Sequence, residues 1–214
     1  MDESSWPRCL SALASASSLE RFVRELSRQA RLRFVTLQAH ARIDALVETA
    51  GYFGEREKYA AYLKATWRAR RPMEFALDRF GAESLFTIWP HRTIGPALRA
   101  DYRDVSGCEP PDGEKEAMII ITSAQALGIL YVLEGSALGA RILTPRASAL
   151  GMGAKFGASH LSLQVSTPGA WKMFLAVLEA AEFDRTQEEV CIEAALDTFA
   201  RFERAYAAAT TAFA

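Results

Sequence analysis

Apolar residues recur at helical spacing along most of the chain, and few segments alternate as strands do. Ser17 and Glu20 form a capping box, in which the Ser oxygen and the Glu carboxylate satisfy free amides at a helix start. From there Phe22, Leu26, Leu32, Val35, Ile43 and Val47 predict a helix up to Gly51, with a break near Gln29 to Arg31. A second helix is expected from Glu55 to Phe80, kinked or broken by Pro72. Short pieces follow at Ala82–Phe86 and Arg92–Asp104, then a loop from Gly107 to Gly113 marked by Pro110 and Pro111. A long apolar helix is predicted from Glu114 to Leu143, ended or kinked by Pro145. The glycine-bearing run Leu150 to Ser166 reads as a loop with one turn in it. Thr167-Pro168 reads as a helix start with Thr as N-cap. Asp184 and Gln187 form a second capping box that opens a final helix. The pattern predicts an all-α domain of about seven or eight helices.

The chain of 214 residues is half hydrophobic, enough for one sizeable core. Residues 1–20 read as an N-terminal extension, partly flexible or helical, and 21–214 as the helical domain. The formal net charge of −1 gives no reason to expect nucleic acid or an acidic membrane surface as partner. The apolar run Met118 to Leu133 contains Thr122, Ser123 and Gln125 and stops at Glu134, which suits a buried core helix better than a membrane span. The acidic N-terminus does not read as a signal peptide. Cys9, Cys108 and Cys191 are odd in number and have no metal spacing, which fits a reducing cytoplasm.

Two segments carry chemistry. In the first, His40 lies on a predicted helix with Asp44 one turn on and Arg33 two turns before. A carboxylate at i+4 can accept the Nδ1–H bond, fix the tautomer and leave Nε2 for a metal. Arg33 suits an anionic group at the rim of a large planar ligand centred over His40. In the second, Gly135 and Gly139 stand four apart in a helix, where each costs about 1 kcal/mol against Ala. Such glycines serve either close helix–helix packing or a backbone wall lying over a flat ligand.

Together the segments resemble the haem oxygenase family. Leu32, Arg33, Thr36 and His40 look like its proximal helix, and Leu130 to Gly139 (Leu-Tyr-Val-Leu-Glu-Gly-Ser-Ala-Leu-Gly) looks like the distal helix of its bacterial branch. Weaker likeness runs from Arg31 to Tyr206. The resemblance implies a single-domain helical fold that cleaves haem to biliverdin, CO and ferrous iron, using O2 and an external electron donor such as a reductase or ferredoxin. The branch makes biliverdin beside phytochromes, so a phytochrome is a candidate partner. By resemblance His40 is the proximal iron ligand and Asp44 its acceptor. Gly135, Ser136 and Gly139 form the distal wall. Arg33 and Lys172 are basic groups for the haem carboxylates, with Thr36 and Tyr131 beside the haem.

The family commonly has two adjacent glycines where this chain has Gly139-Ala140. The added methyl either narrows the distal pocket or points into helix packing. Glu134 is expected to point away from the pocket, toward a cation. His91 and His160 read as surface residues. Two other readings of the same residues are a haem-binding sensor or carrier without turnover, and a helical protein-interaction module.

Overall fold

The computed structural model describes residues 26–111 and 118–211. The Ser17–Glu20 capping box and the extension 1–20 lie outside the described residues. Seven α-helices are present among those described: α1 (Arg28–Thr49), α2 (Arg56–Phe80), α3 (Gly95–Ser106), α4 (Ser123–Ala149), α5 (Ser159–Val165), α6 (Ala170–Ala180) and α7 (Arg185–Thr210). Two 3-10 turns, Ala82–Ser84 and Trp89–His91, link α2 to α3. Backbone pairing of the strand kind is confined, among the described residues, to isolated bridges at Gly153.

Several helix boundaries differ from expectation. α1 starts at Arg28, capped by Ser27, whose side chain accepts from the Ala30 amide, and runs unbroken through Gln29 to Arg31, where a break was expected. α4 starts at a capping box of Thr122 and Gln125, so the long helix begins eight residues or more after Glu114. α2 and α4 run on through Pro72 and Pro145. Proline removes the bond to the carbonyl four residues before. Here those carbonyls belong to Arg68 and Arg141, both exposed, where water can replace the bond. Thr167-Pro168 is a turn and not a helix start. The Ala170 amide donates to the Thr167 carbonyl at 3.3 Å, and Gly169 takes φ 79° and ψ −2°. Pro then Gly at the centre of a turn is the type II pattern. The capping box at Asp184 is present as predicted.

α7 underlies the molecule. α1, α2 and α4 all pack on it, whereas α1 and α4 make few backbone approaches to each other. α4 meets α7 closely at Gly128, where a methyl group would overlap the Cys191 carbonyl and come within 2.9 Å of the Ala194 methyl. α4 is long and apolar enough to cross a membrane, yet half of its most apolar stretch is buried within the protein, as in a core helix.

Candidate active site

Two ties bound the stretch, or gap, along which α1 and α4 make few approaches to each other. At one, the Tyr131 phenol of α4 lies beside the Thr36 hydroxyl of α1, within reach of the Arg33 charge. Burial raises the Tyr131 phenol above its ordinary 10.0. At the other, Arg146 of α4 pairs with Glu48 of α1 at 2.9 Å. Between these ties run about 18 Å of α1 and about 22 Å of α4, at 1.5 Å per residue. His40 and Asp44 occupy that stretch of α1, and Gly135, Gly139 and Ile142 that of α4.

His40 is open to solvent. Its side chain is 64 % exposed, and Nδ1 lies 3.0 Å from Asp44 Oδ2. That contact leaves Nε2 for another partner. The imidazole lies 5.9 Å from the Phe199 ring of α7. Around the gap, Leu37, Leu138 and Ile142 expose apolar side chains. Apolar groups clustered at one opening mark a surface that something apolar covers.

Of the two glycines in this stretch of α4, Gly139 faces open space and Gly135 nearly so. A methyl on Gly139 would meet nothing within 4 Å, and one on Gly135 would meet only the Trp171 ring at 3.7 Å. Neither is required by helix packing; the glycine that packing does require is Gly128. Trp171 also lies 5.6 Å from the Tyr131 ring, and Lys172 follows it, exposed. Thus Arg33, Thr36 and Tyr131 come together, Trp171 joins them, and His40 lies one turn beyond Thr36. Ala140 is 1 % exposed, so its methyl belongs to the core and does not narrow the gap.

Ser136 sits elsewhere. Its Oγ is 2.6 Å from the Leu133 carbonyl and 2.8 Å from Gln164 Oε1, and Arg70 Nη1 donates to it at 3.3 Å. It belongs to a buried polar layer behind α4. Glu134 points into that layer and pairs with Arg92 at 3.0 Å. Burial raises its carboxyl above the ordinary 4.5 against the pull of Arg92. Arg92 Nη2 also donates to the Gln164 carbonyl near the end of α5. Arg70 pairs with Glu74, whose carboxylate accepts the Ile94 and Gly95 amides at the start of α3. Of this layer, only the turn of Glu134 toward a cation was foreseen from sequence. The i,i+4 spacing of Arg70 and Glu74 is the other local signal of it.

His160 is a correction. It is fully buried in α5 and not on the surface, because Asp101 of α3 receives its Nδ1–H at 2.7 Å and its amide at 2.8 Å. His91 is exposed as expected. Burial is the largest influence on His160 and lowers it below its ordinary 6.5, against Asp101. Burial alone would raise Asp101, but its bonds from His160 and Ser159 hold it below 3.8. The imidazole is therefore neutral and the carboxylate ionised. Below about pH 6.5 the unfolded chain binds a proton that the folded chain refuses. The His160 contribution is thus complete above that pH and lost as pH falls; Asp101 acts in the same sense at lower pH. Raised Glu134 acts oppositely from 4.5 upward, so a difference measurement is needed. Thermal melts between about pH 7 and pH 5 should show a steeper loss for the natural protein than for His160→Asn, by at most about 1.4 kcal/mol per pH unit. Parallel curves would remove His160 as the source.

No protein-family model matches the chain. It is 31 % identical over 180 residues to the heme oxygenase PigA of Pseudomonas aeruginosa, covering 84 % of this chain and 91 % of that protein. The chain belongs to the haem oxygenase family. The heme oxygenase of Xanthomonas campestris pv. campestris is 28 % identical over 158 residues, with 72 % of this chain and 92 % of that one covered. The NO- and CO-bound heme oxygenase from Neisseria meningitidis superposes with a TM-score of 0.78 at 26 % identity, covering 87 % of this chain and 93 % of that one. Heme oxygenase from Leptospira interrogans, at 17 % identity and TM-score 0.69, shares the fold over 86 % of this chain and all of its own. The all-helical architecture read from the sequence is the haem oxygenase fold.

Proposed function

We propose that this haem oxygenase family member holds haem in the gap between α1 and α4 and cleaves it to biliverdin, CO and ferrous iron. The observation that carries the assignment is the pair of open glycines facing a gap that also exposes His40. Haem supplies the iron that activates oxygen and is itself the ring that is opened. O2 and electrons from a separate reductase or ferredoxin complete the reaction, as for the family.

His40 binds the iron through Nε2, and Asp44 holds its Nδ1 proton and so sets the tautomer. As a neutral imidazole, His40 would donate less electron density to a bound iron than a thiolate would. The apolar rim takes the ring faces. Arg33 and Lys172 bind the carboxylates by charge-assisted bonds, with Thr36 and Tyr131 beside them. Gly135 and Gly139 let the α4 backbone lie low over the opposite face. Glu134 is tied to Arg92, which keeps a strong acid from that face. Ser136 acts through Gln164 and Arg70, as part of the layer that holds α4 in place.

The sensor or carrier reading rested on Ala140 narrowing the pocket, and the burial of its methyl removes that support. A phytochrome remains a candidate user of the product, from the branch of the family that the sequence resembles.

Hemin added to the purified protein, followed by reductant in air, tests the assignment. A sharp Soret band that bleaches as biliverdin absorbance grows is expected. A stable band without product would favour the carrier, and no band the interaction module.

A further inference from the structure

We propose that Arg28, Glu179 and Glu188 form a positioning clamp that sets how haem lies in the plane of the gap, and so which edge of the ring is opened. The inference rests on the haem reading above.

The clamp ties three helix ends together. The first turn of α1 has no acidic residue of its own. Glu179, near the end of α6, supplies the carboxylate instead, accepting the Arg28 amide at 3.2 Å and the Gln29 amide at 2.7 Å. The exchange is reciprocal. The Arg28 guanidinium donates to the carbonyls of Leu178 and Ala181, which close α6. Its Nη2 also donates to Glu188 Oε1 at 2.7 Å, in the first turn of α7, and it lies 4.5 Å over the Phe183 ring. Glu188 Oε2 accepts from Arg31 at 3.0 Å. The Arg28 side chain is only 9 % exposed, so solvent screens these bonds little.

The clamp stands at one end of the α1–α6 pair, and the two cations assigned to the haem carboxylates lie further along each helix. Arg33 lies about 8 Å along α1 from Arg28, and Lys172 about 10 Å back along α6 from Glu179, at 1.5 Å per residue. α1 and α6 pack together, so the clamp is a joint between them. Opening a joint by about 6° moves a group 10 Å away by about 1 Å, a misplacement that is enough to change reaction outcome. A carboxylate pair held by two cations follows their spacing, and the ring rotates with it. Haem carries both carboxylates on one edge, so the placing of the two cations sets the in-plane angle at which the ring lies. The rigid joint fixes that angle.

Glu179→Ala and Arg28→Lys test this. Three measurements are made on each hemin-loaded full chain: hemin affinity from the Soret band, the number of haem-methyl resonance sets in the ferric cyanide complex, and the biliverdin isomer ratio. Hemin affinity should stay within about threefold, while the minor resonance set and minor isomer rise about tenfold, the ratio that 1.4 kcal/mol gives. Glu179→Gln, which keeps an acceptor for the Gln29 amide, should fall between. A lower melting temperature with unchanged resonances and isomer ratio would overturn the proposal and leave a purely structural joint. Glu179 is exposed, so its variant decides the matter if Arg28→Lys does not fold. Failure of the natural protein to bind hemin would instead overturn the haem reading itself.

Discussion

His40→Ala is expected to lower biliverdin formation by more than about 100-fold while leaving the fold intact, since loss of a supporting contact alone costs a metal site 10–100-fold. The side chain is 64 % exposed and its hydrogen-bond partner, Asp44, is 69 % exposed. Surface substitutions of this kind change stability by about 0.5 kcal/mol or less. A large loss of activity with an unchanged melting temperature therefore reports ligation and not folding. The Soret band of added hemin should broaden and shift, because the iron loses its protein nitrogen. Full turnover in this variant would remove His40 from the mechanism.

Gly139→Phe is expected to separate binding from folding in the opposite way, by filling the gap. Outside its chain neighbours and its own helix backbone, no atom lies within 4 Å of the position its Cβ would take. The folded protein should therefore accept the side chain, and replacing a helical glycine recovers part of the cost of about 1 kcal/mol that glycine carries. Hemin should meet the ring directly. Overpacking costs about 1–3 kcal/mol, so hemin affinity should fall by about 5- to 150-fold. Gly139→Ala should show a much smaller loss. Unchanged hemin affinity in the Phe variant would mean that the Gly135–Gly139 backbone does not face the ligand. Gly128 provides the contrast within the same helix, because there a methyl collides with α7 and the fold itself should suffer.

The sequence made the helices legible wherever a local signal stood alone. Asp184 and Gln187 marked α7 correctly because both halves of the capping box are local. The same signature at Thr122 and Gln125 was masked by the apolar run Met118 to Ile121, which prolongs the pattern of α4 backward. In the structure Ile119 and Ile121 are exposed and precede the helix. Pro72 and Pro145 do not break their helices, because a proline costs less where the freed carbonyl belongs to an exposed residue. Pro168 misled because the next residue is Gly169, whose positive φ makes a turn.

The site followed the same division. His40 with Asp44, and Gly135 with Gly139, are spaced by one helical turn, so sequence alone placed each pair on one face. The pairing of Glu134 with a cation was foreseen, but not that the cation would be Arg92, 42 positions away. Asp101 lies on α3, and His160 and Gln164 on α5, and only the fold brings these two helices together behind α4. The Arg28 clamp joins residues 151 to 160 positions apart, beyond any periodicity.

The structure of the hemin-bound protein tests the central claim most directly. The prediction is His40 Nε2 on the iron, with the backbone of Gly135 to Gly139 across the opposite face of the ring. Iron bound by any other side chain, or hemin seated outside the α1–α4 gap, would contradict it.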